Sequence, residues 1–184
     1  MHTLTITNDD AIPDTTAPQG TISINANATY ANTTAVSLSF SATDTTGVTG
    51  YYLSGSNITP SATATGWTAV TSTASYLATV PYTLTTGDGI KTLYSWYKDA
   101  AGNVSSSNTD SIALDTTLPA VTITSPTSGT GYATTSSSIT LGGSASDADS
   151  GIASISWSNN RGGSGSATGT TAWSASGITL YNNG

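Results

Sequence analysis

The sequence predicts an all-β chain of tandem β-sandwiches, and three observations carry that prediction. The first is composition: charged residues make up only 7% of the chain, and Ser and Thr fill the gap beside nine Tyr, four Trp and many Val and Ile. Threonine, β-branched aliphatics and aromatics fit a pleated, half-buried surface. Ser and Thr divert backbone hydrogen bonds away from a helix, and β-branched side chains lose rotamers in one. The second is patterning, with short alternating runs set between Gly, Asn, Asp and Pro, as strands and their turns are. The third is an internal repeat. Asp14-Thr15-Thr16-Ala17-Pro18 returns as Asp115-Thr116-Thr117-Leu118-Pro119, a period of about 100 residues, the size of one two-sheet sandwich.

The repeat sets the domain plan: an orphan strand or linker over 1–10, a first immunoglobulin-like sandwich over 11–115 and a second over 116–184. In the first, strands are expected near 21–24, 35–42, 48–53, 67–70, 76–84, 90–98 and 111–114. Seven short strands with turns between them define a sandwich of the immunoglobulin type. Leu38 and Phe40 are two apart and share a face with Val36; with Trp67, Leu93 and Tyr97 they form the expected core. In the second, strands are expected near 121–124, 138–144, 152–157 and 172–180. The repeats match inside as well, since Ser41-Ala42-Thr43-Asp44-Thr45-Thr46-Gly47-Val48 corresponds to Ser144-Ala145-Ser146-Asp147-Ala148-Asp149-Ser150-Gly151-Ile152. Each ends a strand, turns on Asp and Gly, and begins another. Measured against the first repeat, the second is expected to be C-terminally incomplete, without its last two strands.

Charge and residue inventory exclude whole classes of function. The formal charge is −7 and the only basic residues are Lys91, Lys98 and Arg161. Nucleic-acid binding needs clustered cations that release counterions, and so does attachment to anionic lipid; neither is expected. No apolar run is long enough to span a membrane, so no membrane insertion is expected. There is no Cys, hence no disulfide frame and no thiolate. His2 is the single His, which leaves a Ser/His/Asp relay without a base on either sandwich; there is no Glu, and the closest carboxylate pairs, Asp9/Asp10 and Asp147/Asp149, fall in expected turns, whereas a glycosidase needs two carboxylates facing each other across a cleft. The expectation is a protein that is not an enzyme.

Longer motifs point to a family. Gly47-Val48-Thr49-Gly50-Tyr51-Tyr52, Gly66-Trp67, Gly87-Asp88-Gly89 and Tyr97-Lys98-Asp99-Ala100-Ala101-Gly102-Asn103-Val104-Ser105 together resemble the bacterial immunoglobulin-like repeats of large surface adhesins. The second repeat is similar to a sister type through Ser156-Trp157-Ser158-Asn159-Asn160-Arg161-Gly162-Gly163 and Thr171-Ala172-Trp173. Residues 2–10 resemble the closing strand of a Calx-beta-type repeat. The resemblance implies a bacterial or archaeal cell-surface protein, extracellular, in which such repeats serve as a stalk, an adhesive section or a fibre building unit. Its partners would be neighbouring repeats of the parent chain or identical subunits; the resemblance names no ligand.

Two groups of residues are candidate sites. All ten acidic residues are Asp, and an immunoglobulin-type sandwich gathers the chain's lead-in and the loops after its second and sixth strands at one end. Asp14, Asp44 and Asp99 should meet there, with Asn103 and the linker residues Asn8, Asp9 and Asp10 nearby. Hard oxygen ligands gathered in this way suit Ca²⁺, the one candidate cofactor; the alternative is that these side chains only cap turns. The second group is aromatic. If Leu93, Ser95 and Tyr97 face the core, alternation sends Tyr94 and Trp96 outward, beside the strand carrying Tyr51 and Tyr52. Such a row could stack on surface glycans, which makes a carbohydrate-binding module the alternative function, or it could shield the sheet against a neighbouring domain. Finally, residues 3–7 alternate with Leu4 and Ile6 on one face and have no domain of their own. They are a candidate donor strand for the open edge of a neighbouring molecule's second repeat.

Overall fold

A computed structural model describes residues 13–180 of the chain. It divides into two compact units, parted between Leu114 and Asp115. The described residues form strands and turns and contain no helix, in keeping with their hydroxyl-rich, β-branched composition; the fold is all-β and immunoglobulin-like.

The first unit contains β1 (Gln19–Ile24), β2 (Tyr30–Ala31), β3 (Ala35–Ser54), β4 (Thr68–Thr83), β5 (Gly89–Asp99) and β6 (Asn108–Leu114). Two pairs of expected strands are continuous: 35–42 and 48–53 are both β3, and 67–70 and 76–84 are both part of β4. The turn read at Asp44 to Gly47 is a bulge, where pairing shifts from Thr43 opposite Ser75 to Val48 opposite Thr73. Extra residues on one strand bend it and increase its twist, and in sandwiches such bends let one strand pass from one sheet to the other. The first half of β3 pairs with β1 and the second half of β4, and its second half pairs with β5. Beyond β5 follows β6, with β2 parallel at its far edge. The two-residue β2 gives no alternation to read, which is why the sequence does not announce it.

Between the layers, alternate residues of each strand close the core. Val36, Leu38 and Phe40 of β3 meet Ile22 and Ile24 of β1, Leu93 and Tyr97 of β5, and Ile112 and Leu114 of β6, all of them buried. Each large aliphatic or aromatic side chain so removed from water contributes about 1.5–3 kcal/mol. Trp67 does not belong to this core, contrary to the expectation from sequence. It is half-buried and packs edge-on against Tyr52, with ring centroids 5.6 Å apart. The reason is that β4 starts one residue later, at Thr68, and the segment before it turns across the outer face.

The second unit contains β7 (Ala120–Ser125), β8 (Ser138–Ser146), β9 (Ser156–Ser158), β10 (Ser164–Ser166) and β11 (Ala172–Thr179). β7, β8 and β11 make a three-stranded antiparallel sheet with β8 in the middle, and β9 and β10 form a separate hairpin. Of the expected strand over 152–157 only the end is realised, in β9, and β10 carries no apolar residue that could have announced it. Trp173, Ala175 and Ile178 of β11 are buried with Ala145 against half-buried Ile139, Leu141 and Trp157. β7 is different: all six of its residues are exposed.

Candidate metal centre

Asp44 occupies the bulge of β3, where the chain must turn between layers, and its side chain organises that turn. Its Oδ1 accepts hydrogen bonds from the backbone amides of Thr46 (2.9 Å) and Gly47 (2.9 Å). Gly47 is the glycine the bulge requires, at φ 109°, a region L-residues avoid. Asp99, the last residue of β5, is oriented by Asn103, whose backbone amide donates to Oδ1 (2.9 Å) and whose Nδ2 donates to Oδ2 (2.7 Å). Asp14 comes from the lead-in to β1. Its Oδ1 accepts from the Thr16 amide (2.9 Å) and its backbone carbonyl accepts from Asn103 Nδ2 (3.0 Å).

These three carboxylates converge as the sequence suggests: one oxygen from each lies within 4.8 Å of the others. Asn103 belongs to the group in a different role from the ligand expected of it. It presents its amide nitrogen, a donor that a cation would repel, and serves as the clamp that holds Asp99 and the Asp14 backbone together. Asn8, Asp9, Asp10, Leu4 and Ile6 lie outside the described residues.

The group carries more negative charge than its own donors balance. Asp44 is only 7% exposed, and its Oδ2 is buried without a hydrogen-bond partner. The Thr46 hydroxyl reaches both Asp14 Oδ2 and Asp44 Oδ1, yet a hydroxyl has a single proton to donate. Neither lysine of this unit has its hydrogen bond here, since Lys91 Nζ donates to Thr86 O and Lys98 Nζ to Ala62 O. The Thr46 hydroxyl first, and the Thr16 amide second, hold the Asp14 carboxyl below its ordinary value, so it is ionised at neutral pH. A buried carboxylate with one oxygen unpaired, grouped with two further carboxylates, fits a hard divalent cation, whose remaining positions would be filled by carbonyls or water. Thr46 was missed in reading the sequence, although Asp-x-Thr-Gly is a turn signal in which the hydroxyl returns to the aspartate.

The aromatic candidates separate onto two faces. Tyr51 is not part of an outward row: its ring stacks on Phe40 of the core at 4.7 Å and lies 6.1 Å from that of Tyr76. The bulge shifts β3 so that Tyr51 pairs with Tyr97 and Tyr52 with Trp96, making Tyr52 the outward residue. Trp96 points outward as alternation requires, but it is fully buried rather than displayed. Its neighbours Tyr52 (6.1 Å, 72°) and Tyr94 (6.3 Å, 30°) are inclined to it, so the rings make no flat platform. The segment 55–67 crosses this face, tied by Trp67 Nε1 to Ser61 O (3.0 Å) and Lys98 Nζ to Ala62 O (2.8 Å), with its own Pro60 buried. Lys98 also sits 4.8 Å above the Trp67 ring. The face is shielded by its own chain, which removes the geometry a sugar-stacking site needs.

The boundary and turn arrangement recurs in the second unit. Asp115 Oδ2 accepts from the Ser150 amide (2.9 Å), and Asp147 Oδ1 accepts from the amides of Ser150 (3.1 Å) and Gly151 (2.9 Å). Asp115 thus answers to Asp14 and Asp147 to Asp44. A family model for the bacterial Ig domain matches residues 119–184, nearly all of this unit. Over these residues the chain is similar to bacterial immunoglobulin-like repeats. Neither a curated protein nor a solved structure matches the chain.

Proposed function

We propose that this chain is a structural section of an extracellular surface protein, an Ig-like stalk or adhesive spacer whose first unit is locked at its lead-in by Ca²⁺. The observation that carries the reading is the convergence of the Asp14, Asp44 and Asp99 carboxylates, with Asp44 buried and its Oδ2 without a hydrogen-bond partner. Asp14 belongs to the boundary motif, Asp44 to the corner between the sheets, and Asp99 to the end of β5. A cation held by all three fastens the connecting segment to the sandwich it precedes and stiffens the join on which a spacer depends. The surrounding medium supplies the ion, since extracellular modules bind Ca²⁺ at about 10⁻⁴–10⁻³ M. The reading assigns no catalytic step to either unit.

Thermal unfolding of chelator-treated protein titrated with Ca²⁺ tests this. The transition of the first unit should rise with Ca²⁺, by the equivalent of about 2.7 kcal/mol at a hundred times the dissociation constant. Asp44→Asn should abolish the rise. A transition indifferent to Ca²⁺ up to about 10 mM, ten times the weakest extracellular sites, would overturn the calcium lock.

A further inference from the structure

The first unit carries the Asn-x-Ser/Thr triplet, the acceptor pattern for N-linked sugar, at Asn27, Asn32, Asn57 and Asn103. The structure sorts them. Asn103 is closed to modification, because the nitrogen that would take the sugar donates to Asp99 Oδ2 and to the Asp14 carbonyl, and the Ser105 of its triplet is buried. Asn27, Asn32 and Asn57 are exposed, and no hydrogen bond holds their side-chain amides. Asn32 has a neighbour that the other two lack. Tyr30 and Asn32 flank the buried Ala31, so both side chains stand on the outer side of β2. The Tyr30 ring is 46% exposed and meets no other ring among the described residues. Two residues before Asn27 and Asn57 stand Asn25 and Gly55, which have no ring to offer. On the far side, the Thr33 hydroxyl is turned to Ala35 O (3.2 Å). Thr34 is held through its backbone carbonyl, which accepts from the Leu84 amide (2.8 Å), and its hydroxyl is left free.

We propose that Asn32 is an N-glycosylation site and that the first sugar of its glycan lies on the ring of Tyr30. This rests on the extracellular reading above, since export is what brings the chain to the sugar donor. That donor is an oligosaccharide activated on a lipid diphosphate. Asn32 Nδ2 bonds to the anomeric carbon, the bond from that carbon to the phosphate oxygen breaks with its electron pair leaving on the lipid diphosphate, and the amide gives up one proton. Residues two apart along an extended chain are about 6.6 Å apart, a span that the first sugar on an asparagine reaches. The C–H face of a sugar ring is apolar, and an aromatic ring is a flat apolar surface for it to cover. Seated there, the sugar removes from water ring area that the bare chain exposes.

Export of the full chain through a secretory route that transfers lipid-linked oligosaccharide to Asn-x-Thr tests the proposal, with peptide mass spectrometry reading occupancy. Asn32 should carry the glycan. Thr34→Ala should abolish its occupancy while leaving the backbone bond from Leu84 in place. Wild type and Tyr30→Ser, each with and without the glycan, then form a double-mutant cycle. The glycan should raise the melting temperature of the first unit by about 4 °C or more in wild type, as covering part of one ring face implies for a domain of this size. It should leave that of Tyr30→Ser unmoved. A chain bare at Asn32, with or without sugar on Asn27 or Asn57, a Thr34→Ala chain that is still modified at Asn32, or equal gains in the two backgrounds would each overturn it. The calcium titration keeps the two readings apart. A chain that is bare at Asn32 but gains stability with Ca²⁺ fails this proposal alone, and a glycosylated chain indifferent to Ca²⁺ fails the calcium lock alone.

Discussion

Gly20 occupies a position that no pattern in the sequence marks, and the first core is built around it. A Cβ there would run into the Tyr97 ring and stand 2.7 Å from the Ser41 carbonyl. The absent side chain lets Tyr97 lie flat across β1, fully buried, with its hydroxyl donating to Thr21 O. That burial pushes the Tyr97 phenol up to about 12, so it remains a donor throughout the physiological range. Alternation announced that Tyr97 faces inward; it could not announce which residue makes room for the ring, because close approach depends on two strands far apart in sequence. Gly20→Ala should therefore cost about 2–3 kcal/mol through overpacking, and lower the first unit's melting temperature by about 10 °C or more. An unchanged melting temperature would show that β1 can move away from Tyr97. Asp14, Asp44 and Asp99 were easier to foresee, since fold type alone brings the lead-in and two loops to one end of the sandwich. The role of Asn103 was not, because residue type does not say which end of an amide faces a neighbour.

At the scale of elements, β5 shows where alternation informs and where it stops. Period two placed Leu93 and Tyr97 in the core and sent Trp96 to the outer face, and the structure has them so. Outward is not the same as exposed: Trp96 is fully buried on a face where the segment 55–67 packs on the neighbouring Tyr52 and Lys98, and nothing periodic predicts where a loop of Ser, Thr, Ala and Gly will lie. The third strand misled for a related reason: the bulge at Asp44 to Gly47 adds residues to β3 and decides which tyrosine faces inward, as a shift of one residue always does. The loop is held by Lys98, which is hydrogen-bonded to Ala62 O and placed over Trp67. Lys98→Met keeps the aliphatic stem and removes both interactions. It should cost about 1–2 kcal/mol and shift tryptophan emission to the red as water reaches the covered face. Chemical denaturation followed by fluorescence measures both, and an emission spectrum like that of wild type would mean that the loop is held by Pro60 and Trp67 alone.

Across the whole molecule, the two units share a plan but differ in how much of it is sealed. Ile24, Leu38, Phe40, Tyr97, Ile112 and Leu114 are all enclosed in the first, whereas the second encloses Ala145, Trp173, Ala175 and Ile178 and leaves β7 open. Stability within a chain follows local burial, and poorly packed elements open first. Amide exchange in β7, β8 and β11 should exceed that in β3 and β5 by at least about tenfold, the factor that 1.4 kcal/mol of opening free energy imposes. Protease should clear the second unit first and leave a fragment ending near Leu114. Equal exchange in the two units would mean that the second sheet holds as firmly as the first although all six residues of β7 are exposed.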